Sequence, residues 1–411
     1  MNNESLPASP LGPLLAGLRV IELSAFVAAP LGGAALASFG AEVVRVDPPG
    51  GGIDIDRWPL HRGKSLYWAG LNQGKRSVTI DTRDPRGQAI VTRMIERAGV
   101  LLTNLPAHGW ASYERLRQVR ADLIMAVISG TRDGSAAVDY TVNAAVGFPW
   151  ITGPEGWHGP VNHVLPAWDA LTGYLVTAAI LAAEIHRIRA GEGQLIEISL
   201  TDVALSVAGH LGFIAEAELN EEPRARYGNQ LFGSFAREFE TADRRHLIVV
   251  ALTPRQWKSL VEATGIGTEV EALEHKRSLD LRREGDRFGA REEISSLLDP
   301  WFRTRMLAAA GEVLDKHGVI WSPYQTFKQL VREDRQRIRE NPLFMEIEEP
   351  EIGGYLHAGS PVRFSSVPRS AAQRSPRLGE DTDDVLRSWL GFSNTDIDAL
   401  IADGIVSCQP A

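Results

Sequence analysis

The chain has 411 residues, 44% of them hydrophobic and 23% charged, with a formal net charge of -9. That length exceeds one ordinary core and predicts two or three domains, and the composition is that of a globular protein. The acidic balance argues against a nucleic-acid partner held by a basic face, and the single cysteine, Cys408, excludes a disulfide framework within the chain or a cysteine metal site.

Residues 1–16 read as a loose Pro/Ser/Gly arm without the basic-then-apolar pattern of a signal peptide. Leu18–Leu23 is a short apolar strand, Ser24–Ala29 a loop, and Pro30 suits the first turn of a helix that Gly40 ends. Ala41–Val46 is the next strand, so this is a βαβ unit and implies a parallel sheet. The alternation continues through Ser77–Ile80, a helix from Asp84 to about Arg97, and strands at Val100–Thr103 and Leu123–Ile128. After Asp169 comes an apolar helix pattern, Tyr174–Ile185, which stops at Gly191-Glu192-Gly193. Leu195–Ser199 is a strand and Thr201–Glu216 a helix. The longest apolar run, around Leu175–Ala183, is too short to span a bilayer. The expectation is a soluble cytoplasmic protein without a membrane partner.

The composition turns charged near 219–226, which reads as a linker. Phe239–Asp243 and His246–Val250 read as a hairpin, followed by helical patterns to about Lys316. A second charged stretch over 332–340 leads back to a helical tail. The expected fold class is α/β: an open parallel Rossmann-like sheet domain over 1–218, with its chain returning over 341–411, and a smaller α+β domain over 227–331.

Asp47 ends the second strand about where a Rossmann fold places its ribose-binding acid, yet the loop Ser24–Pro30 has no G-x-G-x-x-G. The backbone therefore lacks the glycines for close approach to a pyrophosphate, which disfavours NAD. Asn72–Ser77, with Lys75 and Arg76, and Arg83 and Arg86 form a local basic concentration that Arg45, Arg62 and Lys64 could join. It is a candidate phosphate site or an ordinary solvated face. The histidines lack helical zinc spacing, so no metal is expected, and there is no G-x-S-x-G elbow. His163 either lines the cleft of Asp169 or sits on the surface. Asp169 itself is placed as a helix N-cap, where backbone N–H groups and the helix dipole favour the ionised form. It is either a plain cap or a carboxylate nucleophile.

Taken in order, these segments resemble the family III CoA-transferases from Leu18 to about Val406. The likeness rests on Gly17–Leu23, Phe39–Pro48, Asn72–Ser77 with Asp81, Pro85 and Gly87, Leu102–Asn104, Asp169 with Gly173, Gly191–Ile198, Gly228-Asn229, Gly318-Val319 with Pro323, and Leu378–Asp383. The resemblance implies that Asp169 is an aspartyl nucleophile and that CoA contacts fall near Val27, Ile80, Arg83 and Asn104. It also implies that CoA enters as part of an acyl-CoA substrate with no permanent cofactor, and that two chains interlock as a homodimer. Val27 stands where many members have Gln, and Pro48 where a basic residue often meets the CoA phosphates. Ser24–Gly33, Trp68–Asn72, Asn162–Asp169, Gly209–Gly212 and Phe239–Thr241 look closest to a member that moves CoA between two carboxyls of one acid. Phe26, Trp68 and Trp168 could close such a pocket, or serve as ordinary core. The family's racemases need a His before an acid; here Ala137-Val138-Asp139-Tyr140 has Val there, and one proton carrier is missing. An intermolecular transferase for another dicarboxylic acid and a non-catalytic CoA-binding subunit are the other readings.

Overall fold

A computed structural model describes residues 13–408. Its main sheet uses β1 (Arg19–Leu23), β2 (Glu42–Asp47), β5 (Arg76–Ile80), β6 (Val100–Thr103), β7 (Ile124–Ser129) and β8 (Leu195–Ser199). A small hairpin, β3 (Leu60–His61) and β4 (Lys64–Ser65), lies between β2 and β5 in sequence. The sheet order is β14-β5-β2-β1-β6-β7-β8, where β14 is Val406–Ser407. The six long strands pair in parallel and β14 closes one edge antiparallel. The chain winds outward from β1 through β2 to β5, then returns to β6 on the other side of β1. The crevice between the carboxyl ends of β1 and β6 is therefore the topological switch point, where open α/β sheets place their ligands.

Residues alternate across this sheet. Ile21, Leu23, Val44, Val46 and Val78 face one core with Ile90, Val91, Met94 and Ile95 of helix Pro85–Ala98 and Val385, Leu386 and Trp389 of helix Thr382–Leu390. The opposite face of the same strands carries Glu22, Arg45, Asp47, Ser77 and Thr79, all buried. Buried charge on this scale must be paired, and its pairing shapes the site.

Two helices cover that second face. Helix Ala28–Ser38 follows β1, and helix Ala167–Ala190 packs on it. Their crossing is close because it is built on glycine: a Cβ at Gly173 would lie 2.8 Å from the Ala28 carbonyl oxygen, and one at Gly32 would lie 2.6 Å from Val176. Thr177 Oγ1 donates to the Gly32 carbonyl at 3.3 Å. Contacts advance together along both helices, so the start of the longer one lies beside the loop that precedes Ala28.

The chain divides into two compact units. One contains residues up to Val146, His163–Glu216 and everything from Ile338 on; the other contains Gly147–Asn162 and Ala217–Arg337. The excursion Gly147–Asn162 corrects the expectation of an uninterrupted first domain over 1–218; Gly153-Pro154, Gly156 and Gly159-Pro160 are the breaker residues that could have marked it. The second unit has an antiparallel sheet of order β11-β10-β9, from β9 (Phe235–Glu240), β10 (His246–Ala251) and β11 (Ile320–Pro323). Phe235, Phe239, Leu247, Trp257, Leu298 and Phe302 centre its core. The first unit also holds an antiparallel hairpin, β12 (Phe344–Glu349) and β13 (Gly353–Ala358).

Further expectations change. The charged stretch over 332–340 is not plain linker: helices Phe327–Glu333 and Arg335–Ile338 occupy much of it, the first with a Thr326/Gln329 capping box. The single helix over 201–216 is two, Leu200–His210 and Phe213–Leu219, bent by 65°. Gly212, at φ 81, supplies the left-handed residue at that break. Helix Ala167–Ala190 is, by length and composition, long and apolar enough to cross a membrane. The contiguous apolar run is shorter than the helix because Thr172 and Gly173 before it and Glu184 after it bound the run without ending the helix. Its buried residues, among them Val176, Ile180 and Ala183, face the interior of the first unit.

Candidate active site

Helix Ala167–Ala190 begins after Pro166, which has no side-chain acceptor to cap it. Its free N–H groups are satisfied instead by Asp139, at the start of helix Asp139–Ala145. One Asp139 oxygen, Oδ2, accepts from the Trp168 amide at 2.7 Å and the Asp169 amide at 3.1 Å. Asp139 is 2% exposed, and its Oδ1 has no hydrogen-bond partner among the described residues. Asp169 is thus not the cap but a first-turn residue, with its side chain free of the capping task. The pattern of an acid before an apolar helix could not separate these two placements, because the true cap comes from another element.

The expected low, ionised state of Asp169 is also corrected. Burial, with the Asp139 carboxylate beside it, pushes the Asp169 carboxyl up to about 6, against the opposing pull of Arg57. The first-turn dipole contribution is small beside such a desolvation cost.

The loop Ser24–Val27 leads into helix Ala28–Ser38 at the switch point. Asn104, just after β6, clamps it: its Oδ1 accepts from the Ala25 amide at 2.9 Å and its Nδ2 donates to the Ala25 carbonyl at 2.6 Å. Phe26 stands at φ 64, a strained conformation for a bulky residue. Asp54 holds it there, accepting the Phe26 amide at 2.9 and 3.0 Å. Val27 occupies the N-cap position of helix Ala28–Ser38 and has no capping side chain.

Behind this loop lies the buried charge cluster. Arg45 is 1% exposed and donates to Asp47 at 2.9 and 3.1 Å, to Asp54 at 3.0 Å and to the Ser24 carbonyl at 3.3 Å. Burial opposes its charge, but Asp47, Glu22 and Asp54 outweigh that and hold it firmly protonated. Lys75 Nζ donates to Glu22 at 2.9 Å and to the Pro30 carbonyl at 2.8 Å. Burial pulls the Lys75 ammonium down to about 8, with Glu22 resisting. The cluster ties β1, β2, the loop and the first turn of helix Ala28–Ser38 into one block.

The expected basic patch is therefore not one patch. Arg45 and Lys75 are interior and paired, unavailable to a phosphate in solvent. Arg76 starts β5 and pairs with Glu42, Asp381 and Asp384. Arg83 lies past the other end of that strand, strongly exposed and bidentate to Asp81 at 2.9 Å. Ile80 is buried, pairing with Val406 at the sheet edge. The structure brings Val27 and Asn104 together at the switch point and puts Ile80 and Arg83 at the same carboxyl edge, two strands away. Trp68 and Trp168 are core residues, the former under the Arg45 guanidinium at 4.4 Å, so only Phe26 of the three bulky residues stands at the site. His163 packs edge-on against Trp168. Sequence reasoning missed Arg57 and Tyr67 around Asp169, and read Asp139 only for the histidine it lacks. No three His, Cys, Asp or Glu side chains among the described residues gather as a metal site.

Such a site is an enzyme's: a half-buried carboxylate with a raised pKa beside a clamped loop at a sheet's switch point. The chain belongs to CoA-transferase family III, which it matches over residues 15–382. It is 50% identical to a 2-methylfumaryl-CoA isomerase of Chloroflexus aurantiacus over 96% of this chain and 98% of that one. It is 28% identical to a succinyl-CoA–D-citramalate CoA-transferase of the same organism, over 95% and 97%. In fold it is similar to a CAIB/BAIF family protein from Brucella suis, with a TM-score of 0.76 at 24% identity over 93% of this chain and 100% of that one.

Proposed function

We propose that this enzyme is a 2-methylfumaryl-CoA (mesaconyl-CoA) isomerase, moving CoA from the C1 to the C4 carboxyl of one mesaconate. The observation that carries the reading is Asp169. Its carboxylate is released from capping by Asp139, poised near neutrality, and set one turn from the helix crossing beside the switch-point loop. The half-identical Chloroflexus relative supports the choice of substrate.

In this mechanism an Asp169 oxygen attacks the thioester carbonyl carbon, and the carbon–sulfur bond breaks to leave a mixed anhydride and CoA thiolate. The thiolate attacks the aspartyl carbonyl, expelling mesaconate and leaving an aspartyl–CoA thioester. The C4 carboxylate of the same mesaconate attacks that thioester and expels the thiolate. The thiolate then attacks the C4 carbonyl, giving the new thioester and restoring the Asp169 carboxylate. Dividing the transfer into covalent steps of similar energy is the use of such a nucleophile. CoA is consumed and returned as substrate, with no permanent cofactor, and Val27, Arg83 and Asn104 line its approach along the carboxyl edge of the sheet, with Ile80 buried beneath that edge.

Two copies are proposed to pair as the interlocked homodimer. Support comes from Leu171, Tyr174, Leu175, Ile185 and Ile188 of the long helix, all large, apolar and exposed on the single chain. Neither a membrane nor a nucleic acid is proposed as a partner, and the setting proposed is the cytoplasm.

The test is chromatography of protein incubated with mesaconyl-C1-CoA and labelled free mesaconate. Unlabelled C4 isomer is expected. Label in the product would make the enzyme an ordinary intermolecular transferase, and absence of both would remove mesaconyl-CoA as substrate.

A further inference from the structure

An acid that loses CoA and regains it at its other end leaves the enzyme a specific task. A small dianion must be held while it turns. That task requires a cation near Asp169 that the protein's own carboxylates have not already taken.

Arg45 and Lys75 do not meet this requirement, since both are interior and committed to Glu22, Asp47 and Asp54. Arg57 does. Its guanidinium forms no hydrogen bond or ion pair with any described residue. It lies over the Phe26 ring at 5.2 Å and over the Tyr67 ring at 5.2 Å. Both rings stand on fixed backbone: Phe26 on the Asp54 carboxylate, and Tyr67 in helix Leu66–Leu71, capped by Ser65. The same Ser65 hydroxyl donates to the Arg57 carbonyl at 2.5 Å, which ties the arginine's backbone to the tyrosine's helix. The Tyr67 hydroxyl is buried and has no hydrogen-bond partner among the described residues. Arg57 and Asp169 are close enough for the guanidinium to draw the carboxyl down, yet they form no ion pair. Arg57 stands over Phe26, in the loop that the helix crossing at Gly173 and Ala28 brings beside the first turn carrying Asp169, so a molecule between cation and nucleophile could bridge them. Arg57 would take one carboxylate, and Asp169 would attack the carbonyl at the other end. Guanidinium suits this role because its planar fork meets a carboxylate with two parallel hydrogen bonds.

We propose that Arg57, assisted by the Tyr67 hydroxyl, receives the substrate carboxylate not engaged with Asp169, selecting dicarboxylic acyl groups and retaining the free acid between the two transfers. The inference rests on the isomerase reading. It assigns the residue that makes transfer internal: after the first half of the reaction the dianion keeps one end on Arg57, and exchange of ends brings the other carboxylate to the aspartyl thioester.

The experiment compares the native enzyme with Arg57→Gln, Arg57→Lys and Tyr67→Phe, using mesaconyl-C1-CoA with labelled free mesaconate. Loss of a charged hydrogen-bond partner is expected to raise KM in Arg57→Gln roughly tenfold to a hundredfold. Label is expected to enter the product because released acid now escapes and exchanges. Arg57→Lys keeps the charge without the fork and is expected to fall between, with less label than Arg57→Gln. Tyr67→Phe is expected to raise KM by a smaller factor. Native KM and label-free product in both Arg57 variants would overturn the proposal. Should Arg57→Gln fail to fold by circular dichroism, Arg57→Lys decides: native KM with label-free product overturns it, and raised KM with label supports it. A native enzyme that does not isomerise mesaconyl-CoA would instead overturn the isomerase reading, and this inference with it.

Discussion

Asp169 is raised to about 6 because it is half-buried and because Asp139 stands beside it. A carboxyl raised in the fold contributes stability below its unfolded value of 3.8, and loses it as pH rises through about 6. Ionised Asp169 is therefore a burden on the native state at neutral pH. Asp169→Asn is expected to remove turnover while raising stability at pH 8, on the order of 1–2 kcal/mol, with no gain near pH 4. Thermal melts at the two pH values check this, and equal melting of native and variant at pH 8 would contradict it. The rate has the opposite dependence, since only the carboxylate attacks. For the native enzyme kcat/KM is expected to fall below about pH 6, the position of the Asp169 carboxyl. Asp139→Asn retains an acceptor for the Trp168 and Asp169 amides but removes the like charge, so the acid limb should move to lower pH. An unmoved limb would mean that burial alone sets the Asp169 pKa.

At the scale of elements, the site depends on how closely two helices cross. A methyl group at Gly173 would meet the Ala28 carbonyl at 2.8 Å and the Leu31 Cβ at 3.0 Å, so backbone has to move. Gly173→Ala is expected to cost about 1–3 kcal/mol of stability by overpacking. It also displaces Asp169, one turn away, from the loop. Denaturant melts with parallel kcat measurements test both; native stability and kcat would remove the crossing from the account. The buried charge cluster is a second positioning device. Lys75→Met removes the closer of the two cations on buried Glu22, leaving only Arg45 at 3.8 Å, and is expected to destabilise by about 2–4 kcal/mol, read from the same melts.

The sequence carries these elements unevenly. The βαβ rhythm is legible because each strand is a short apolar run flanked by turn residues. Asp169 is legible as a candidate through the order of motifs around it. The buried salt-bridge cluster is not, because Arg45 and Lys75 look like surface cations until the alternation along β1 and β2 is joined across the sheet. Asp139 as the cap, and Arg57 as the unpartnered cation, come from segments distant in the chain from Asp169. Their relation to it exists only once the fold is formed.

At the scale of the whole molecule, the long helix that carries Asp169 in its first turn also presents exposed Leu175, Ile185 and Ile188. Covering this face with a second copy accounts for it, and light scattering is expected to give twice the chain mass. A monomer at micromolar concentration would contradict that pairing. The proposed chemistry turns on one covalent event, CoA becoming attached to Asp169. The most direct measurement is mass analysis of the peptide containing Asp169 after incubation with mesaconyl-CoA and rapid quenching. The expected result is a CoA thioester on that peptide in the native enzyme and none in Asp169→Asn. Isomer formation with the peptide unmodified, or turnover retained in Asp169→Asn, would contradict the account.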